Sequence, residues 1–225
     1  MIWIGTRASA PGIQSPKYCS ASCRAEQNQP PGASNVNLLL LYATSQGQTG
    51  KIMQYLNQRL SCSGHETAMV EAGSNAVPDV ADFDACIIAA SVHAGQFQKA
   101  LVKAVREQAS ALSTRSTLFL SVSLTAAGND PAEHAELDRQ VRAFVDETGL
   151  KNPTVAHVAG ALRFSEYGFF EYWAMRWIAR RKQKQTGEFA GIDVTGKEDI
   201  EFTDWNKLNE LVDNWLASAS VGAKH

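Results

Sequence analysis

The stretch Val36-Asn37-Leu38-Leu39-Leu40-Leu41-Tyr42 is a short apolar run, and it passes directly into the small polar turn Ala43-Thr44-Ser45-Gln46-Gly47-Gln48-Thr49. A run of this kind is typical of a strand that is buried on both faces of a parallel sheet. After the turn, Ile52, Leu56 and Leu60 recur at the spacing of an amphipathic helix. We therefore predict a strand, a polar loop and a helix in succession, with the loop at the carboxyl end of the strand.

The same alternation of strands and helices continues along the chain. Four more apolar runs predict strands: Thr67–Val70, Ala85–Ala90, Thr117–Val122 and Thr154–Val158. Three sets of residues at helical spacing predict further helices: Phe97, Leu101 and Val105; Leu137, Val141, Phe144 and Val145; and Trp205, Leu208, Val212, Trp215 and Leu216, with Thr203 as N-cap. Five strands that alternate with helices predict a three-layer α/β fold around a parallel sheet, with right-handed crossovers.

Length and charge narrow the class of protein. The chain has 225 residues and a formal net charge of −2, from 21 Lys and Arg against 23 Asp and Glu. This length suits one domain, and the balanced charge argues against a surface built for nucleic acid. The four cysteines, Cys19, Cys23, Cys62 and Cys86, are too scattered for a disulfide scaffold or a zinc site, and we expect Cys86 to be a buried core thiol. No apolar stretch reaches the roughly 20 residues that a transmembrane helix needs.

The two ends of the chain differ from the region between them. Residues 1–35 mix Ser, Ala, Gly, Gln and Pro without helical or strand periodicity, and they lack the apolar segment of a secretory signal. We predict that 1–35 form a disordered extension, that one domain covers 36–218, and that 219–225 form a C-terminal tail.

The loop over 44–49 has the chemistry of a phosphate site. It contains Thr44, Ser45, Gln46, Gly47, Gln48 and Thr49. Its hydroxyls and backbone N–H groups lie at a helix N-terminus, where the helix dipole favours an anion. A Walker A loop is excluded because it needs glycine at Ser45 and a hydroxyl at Ile52, and a dinucleotide fingerprint needs a glycine beyond Gly47 and Gly50. An ordinary polar turn is the alternative interpretation.

Two further loops follow the third and fourth predicted strands. The second contains Ser91, Val92, His93, Ala94 and Gly95, and the third begins with Ser123 and Leu124. Glycine allows the backbone to approach a flat ligand closely, and Phe97 after the second loop is either a helix core residue or a ring contact. Because the carboxyl ends of parallel strands meet at one edge of the sheet, we predict that the loops bind a phosphate and a planar heterocycle there.

The residues of these loops resemble a known family. Tyr42–Thr49 is similar to the phosphate loop of flavodoxins, Thr-x-Ser/Thr-x-Gly-x-Thr. Four other blocks resemble the menaquinone-dependent protoporphyrinogen IX dehydrogenases, long-chain flavodoxin-like FMN proteins of haem biosynthesis: Ser91–Gly95, Phe119–Leu124, Ala159–Phe164 and Phe202–Trp205. This resemblance implies a flavodoxin-like sandwich with strand order 2-1-3-4-5, FMN bound by the three loops, a porphyrinogen substrate and a membrane quinone as electron acceptor.

An aromatic and basic segment interrupts the alternation. We interpret residues 161–196 as an insertion that splits the fifth strand, which resumes near Glu198–Phe202. Over 169–184, an aromatic helical face adjoins a basic run, a pattern that suits contact with an anionic membrane or with a large flat molecule bearing carboxylates. A helix packed on its own domain is the alternative. The resemblance makes four arginines candidates for binding porphyrin propionates: Arg163, Arg176, Arg180 and Arg181.

The functional hypothesis combines these features. We expect a cytoplasmic FMN-dependent dehydrogenase, peripheral to the inner face of the cell membrane, that oxidises protoporphyrinogen IX and passes the electrons to a quinone. No side chain is assigned as an acid or base, and no metal is expected, because the cofactor carries the redox chemistry. The alternatives are a flavodoxin-type electron carrier, a flavin-dependent quinone reductase, and a non-catalytic interaction domain that has lost its flavin.

Overall fold

A six-stranded parallel sheet forms the centre of the molecule. The computed structural model describes residues 1–4, 35–45, 47–74, 76–92, 95–162 and 200–222. The strands are β1 (Ile2–Ile4), β2 (Asn37–Ala43), β3 (Glu66–Glu71), β4 (Ala85–Ser91), β5 (Ser116–Ser123) and β6 (Thr154–Ala159). All pairings are parallel, in the order β1-β6-β5-β4-β2-β3. Apart from β1, this is the predicted order 2-1-3-4-5, so the predicted α/β class is confirmed.

Helices cover both faces of the sheet. They are α1 (Gln48–Cys62), α2 (Lys99–Glu107), α3 (Ala109–Leu112), α4 (Pro131–Thr148) and α5 (Trp205–Gly222). In β2, Leu38 and Leu40 pack with α1 and α5, whereas Leu39 and Leu41 pack with α2 and α4 on the other face. Each of these leucines is at most 1% exposed. Such burial stabilises the fold by roughly 1.5–3 kcal/mol per side chain, which explains why the run is apolar without alternation.

The cysteine of β4 has the environment expected from the sequence. Cys86 is fully buried among the residues that pack on α2 and α4. Burial raises the pKa of its thiol to about 12. The thiol therefore stays protonated and serves as a small core side chain.

The first strand corrects the prediction that all of residues 1–35 are disordered. Ile2–Ile4 pair with Ala156–Val158 of β6 and add a sixth strand at the edge of the sheet. Ile4 is 1% exposed, and the ring of Trp3 stacks between the rings of His134 and His157, with centroids 3.7 and 4.2 Å away. A three-residue apolar segment is too short to show periodicity, so only its packing identifies it as a strand. Residues 5–34 lie outside the described residues.

The insertion begins after β6 has ended and does not split that strand. This corrects the prediction that residues 161–196 interrupt the fifth predicted strand. Ala161–Leu162 (β7) and Ile200–Glu201 (β8) form a separate antiparallel pair. Gly160 makes the transition: its N–H donates to the Ser123 carbonyl at 3.0 Å, and its own carbonyl accepts from Phe202 N–H at 3.0 Å. Residues 163–199 lie outside the described residues.

The start and the end of α5 also differ from the predictions. Asp204 is the N-cap, because its Oδ1 accepts from Lys207 N–H at 3.1 Å. Thr203, predicted as the cap, instead donates its hydroxyl to the Ala159 carbonyl at 2.8 Å and is fully buried. The helix continues to Gly222, into the predicted tail. Across the described residues, no helix combines the length and the apolar character needed to cross a bilayer.

Candidate functional site

The three predicted loops lie together at the carboxyl edge of the sheet. They follow β2, β4 and β5, which are neighbours in the sheet. The chain goes from β2 to β3 on one side and later to β4 on the other, so strand order reverses at β2. A reversal of this kind opens a crevice for a ligand beyond the strand ends.

The first loop leaves the N-terminus of α1 open to an anion. Gly47 is the N-cap with φ 80°, a left-handed conformation that favours glycine, and no side chain caps the helix. Gly47 N–H donates to Thr44 Oγ1 at 2.9 Å, which closes the turn. The next N–H groups of the helix have no acceptor within the helix. Thr49 is 1% exposed, and its Oγ1 is buried without a hydrogen-bond partner.

Gln48 contributes its backbone to this loop, but its side chain serves another contact. Its Nε2 donates to Glu201 Oε1 and to Thr203 Oγ1, each at 3.1 Å. Lys51, one turn further along α1, donates to Glu201 Oε2 at 2.7 Å. The charge of Lys51 is therefore balanced by Glu201, and the groups that this loop could offer to an anion are N–H groups, hydroxyls and the helix dipole.

A glutamine that the sequence analysis did not select joins the first loop to the second. Gln98, the N-cap residue of α2, donates from Nε2 to Ser45 Oγ at 2.8 Å and to Ser91 Oγ at 2.5 Å. Ser45 N–H also donates to Ser91 Oγ, at 3.3 Å. No local motif marks Gln98, since glutamine is not a preferred N-cap residue.

The rest of the second loop is partly described. Val92 N–H donates to the Val122 carbonyl at 2.9 Å, which extends the pairing of β4 with β5. Gly95 has φ 77°, a left-handed conformation that favours glycine. The ring of Phe97 contacts Phe119 and Phe144 edge-on at 5.4 and 5.1 Å, so it is a core residue, and α2 begins after it at Lys99. Gln46, His93 and Ala94 lie outside the described residues.

The third loop is held by its own first residue. Ser123 Oγ accepts from Ala126 N–H at 3.2 Å, and Ser123 is 8% exposed. Leu124, which is half-buried, precedes a 3₁₀ turn over Thr125–Ala127. Ser123 thus shapes the loop, and the turn packs against β5 and β6 at the carboxyl ends of these strands.

The model of the flavodoxin domain family matches residues 39–188, which include most of β2, all of β4 and β5, and the loops that follow them. The chain belongs to the flavodoxin domain family.

Two curated relatives of this flavodoxin domain share one name. Protoporphyrinogen IX dehydrogenase [quinone] of Escherichia coli strain K12 is 26% identical over 171 residues, which cover 76% of this chain and 89% of that protein. The protein of the same name from Leishmania major is 26% identical over 182 residues, which cover 80% of this chain and 74% of that protein. Oxidised flavodoxin 1 from Bacillus cereus aligns at 10% identity with a TM-score of 0.41, covering 66% of this chain and 98% of that one.

The described loops of this flavodoxin domain fit the phosphate of FMN. A phosphate monoester offers only acceptors or one weak donor at neutral pH, and it would find the unpaired Thr49 hydroxyl beside the uncapped end of α1. The predicted substrate arginines, Arg163, Arg176, Arg180 and Arg181, lie outside the described residues. Within the described ranges, no cluster of three or more His, Cys, Asp or Glu side chains could hold a metal ion.

Proposed function

We propose that this flavodoxin domain protein is an FMN-dependent oxidoreductase that oxidises protoporphyrinogen IX and delivers the electrons to a membrane quinone. The observation that carries the flavin part is the buried, unpaired Thr49 hydroxyl at the uncapped N-terminus of α1. The names of the two curated relatives, which match over 76% and 80% of the chain, support the choice of substrate and acceptor.

Several groups would hold the cofactor phosphate. They are the hydroxyls of Thr44, Ser45 and Thr49 and the backbone of Gln46, Gly47 and Gln48. The segments Ser91, Val92, His93, Ala94 and Gly95, and Ser123 with Leu124, would border the flavin ring. When bound, FMN would supply two-electron redox chemistry, and these loops would hold it at the sheet edge.

The segment outside the described residues completes the proposal. Arg163, Arg176, Arg180 and Arg181 would bind the substrate propionates, because a guanidinium group pairs with a carboxylate through two parallel hydrogen bonds. The aromatic and basic stretch 169–184 would rest on the anionic inner face of the membrane, where a quinone is available. The family resemblance supports the first statement, and the aromatic and basic sequence pattern supports the second.

Anaerobic reduction tests the proposal. The purified full chain, loaded with FMN, is mixed with protoporphyrinogen IX without oxygen, and the flavin absorbance is followed. We expect bleaching, and recovery of the absorbance after addition of a menaquinone analogue. A bound flavin that protoporphyrinogen does not reduce would contradict the proposed substrate, and a protein that takes up no flavin would contradict the proposed cofactor.

A further inference from the structure

Gln98 lies between the two loops of the candidate site and contacts a hydroxyl in each. Both hydrogens of its Nε2 are used, one on Ser45 Oγ at 2.8 Å and one on Ser91 Oγ at 2.5 Å. Gln98 is half-buried, whereas Ser45 is exposed. The contacts cross 53 residues to Ser45 and 7 to Ser91, so the amide joins loops that are distant in sequence.

An account of donors and acceptors shows what this contact does to Ser45. A hydroxyl has one hydrogen to donate and two lone pairs. Ser91 Oγ accepts from Gln98 and from Ser45 N–H at 3.3 Å, so both of its lone pairs are used. The hydroxyl of Ser91 can then donate only its own hydrogen, and Ser45 Oγ lies 3.5 Å away. Ser45 Oγ thus accepts hydrogen bonds from Gln98 and Ser91. Its own O–H hydrogen is then the group that remains for a ligand.

We propose that Gln98 is a positioning residue that holds the Ser45 hydroxyl as a hydrogen-bond donor for the phosphate group of the cofactor. This inference rests on the proposed FMN site. A phosphate oxygen is an acceptor, so a hydroxyl whose lone pairs are already occupied is arranged for it before binding, and no rotation of Ser45 is required when the ligand arrives.

The substitution Gln98→Glu tests the proposal, because it replaces the donating amide nitrogen with an oxygen that only accepts. A carboxylate accepts where the amide donates, so Ser45 and Ser91 would turn their hydrogens toward the side chain at position 98 and away from the ligand. The new negative charge would also repel the phosphate. We expect the Kd for FMN to rise at least about 10-fold, as for the loss of one hydrogen bond to a charged group. Riboflavin has no phosphate, and we expect its Kd to change less than about 3-fold.

A glutamine beyond the far end of α2 provides the matched control. Gln108 donates from Nε2 to the Pro78 carbonyl and accepts at Oε1 from Val80 N–H, each at 2.8 Å, and has no contact with the loops. Gln108→Glu makes the same chemical change and removes one donated hydrogen bond. It should leave the ratio of the FMN and riboflavin Kd values unchanged. Gln98→Leu, which cannot donate, serves as a second variant that adds no charge and should also weaken FMN more than riboflavin.

Flavin-free full-length protein is titrated with FMN and with riboflavin, and quenching of flavin fluorescence is measured. A selective loss of FMN affinity in both Gln98 variants supports the proposal. Equal changes for the two flavins, or no change, would overturn it even when the wild type binds FMN tightly. A wild type that binds riboflavin as tightly as FMN would remove the phosphate site itself, and the proposed cofactor role with it.

Discussion

At the scale of single residues, the most informative groups are buried polar atoms without partners. A buried hydroxyl that makes no hydrogen bond costs free energy, so a ligand that supplied the missing partner would recover that cost. Thr49 Oγ1 is such an atom, and it lies at the helix end where an anion is favoured. Thr148 is buried to a similar extent, but its Oγ1 donates to the Phe144 carbonyl at 2.7 Å. The two threonines therefore differ in what their hydroxyls do.

The substitution Thr49→Val separates binding from stability. Valine has the same shape without the hydroxyl, so the flavin-free protein should keep its Tm or gain slightly, while the Kd for FMN should rise roughly 10-fold. Thermal unfolding and fluorescence titration measure the two effects. Thr148→Val is the control: it should cost about 1 kcal/mol of stability and leave the Kd unchanged. A parallel loss of stability in both variants would contradict a ligand-directed role for Thr49.

The lowered pKa of His157 makes the free energy of unfolding depend on pH. The ring is fully buried, and burial lowers its pKa below the ordinary 6.5, although Asp138 at 2.9 Å acts in the opposite direction. The unfolded chain therefore binds a proton near pH 6.5 that the native state does not accept. The contribution of this group to the free energy of unfolding is complete above pH 6.5 and is lost as the pH falls toward the folded-state pKa.

We expect the free energy of unfolding of the wild type to fall between about pH 7.5 and about pH 5.5, and we expect His157→Gln to fall less steeply. Urea unfolding at several pH values measures both slopes. Part of the slope should remain in the variant, because burial also lowers the pKa of His65. Identical slopes would show that His157 does not carry the effect.

At the scale of elements, Glu201 of β8 connects this strand to α1 through hydrogen bonds and an ion pair. Its carboxylate accepts from Gln48 Nε2 at 3.1 Å and from Lys51 Nζ at 2.7 Å. The side chains of Lys51 and Glu201 are 27% and 12% exposed, so solvent screens this pair less than an ion pair on the open surface. The helix α1, which begins at the loop over 44–49, is thus held by β8, the second strand of the small antiparallel pair.

Glu201→Gln tests this connection. It keeps the size of the side chain and removes the charge, and we expect a loss of about 1 kcal/mol in the free energy of unfolding. Glu107→Gln is the control, since the pair of Glu107 with Lys103 spans 3.8 Å with side chains 62% and 75% exposed. The control should cost less than about 0.5 kcal/mol. Denaturant unfolding compares them, and an equal cost would show that the position of Glu201 adds nothing.

At the scale of the whole molecule, the sheet has a central region that carries the site and an edge that does not. β6 separates β1 from β5, the nearest strand that ends in a site loop. Trp3 ties β1 to the rest through its stacking on His134 and His157 at 3.7 and 4.2 Å. The edge strand packs on β6 and contacts the 3₁₀ turn Thr125–Ala127 of the third loop, whereas three strands lie between it and β2, which leads into the loop over 44–49.

Trp3→Ala should lower the free energy of unfolding by about 1–3 kcal/mol, because a half-buried indole loses its packing and stacking. The Kd for FMN should stay within about 2-fold of the wild-type value. Ile2→Ala is the control, since Ile2 is 45% exposed and should cost much less. Loss of FMN binding in Trp3→Ala at temperatures where the protein remains folded would contradict the separation of edge and site.

The α/β alternation and the position of the polar loops were determined by the sequence pattern alone, whereas the order of the five predicted strands came from the family resemblance. The reason is that hydrophobic periodicity and turn residues are local, so runs such as Val36–Tyr42 and Ala85–Ala90 identify their strands without their neighbours. The family resemblance, which rests in part on residues 44–49, predicted the candidate site at the same edge of the sheet.

Only the tertiary structure decided which distant groups meet. Gln98 reaches Ser45 across 53 residues, and Gln48 reaches Glu201 across 153, and no motif marks Gln98 or Glu201 as the partner. Threonine is a preferred N-cap residue, yet Thr203 donates its hydroxyl to the Ala159 carbonyl across 44 residues, and Asp204 caps the helix instead. Ile2–Ile4 become a strand because β6 offers an open edge and two histidines enclose Trp3. Contacts of this kind depend on where the whole chain places its elements, and no local pattern encodes that placement.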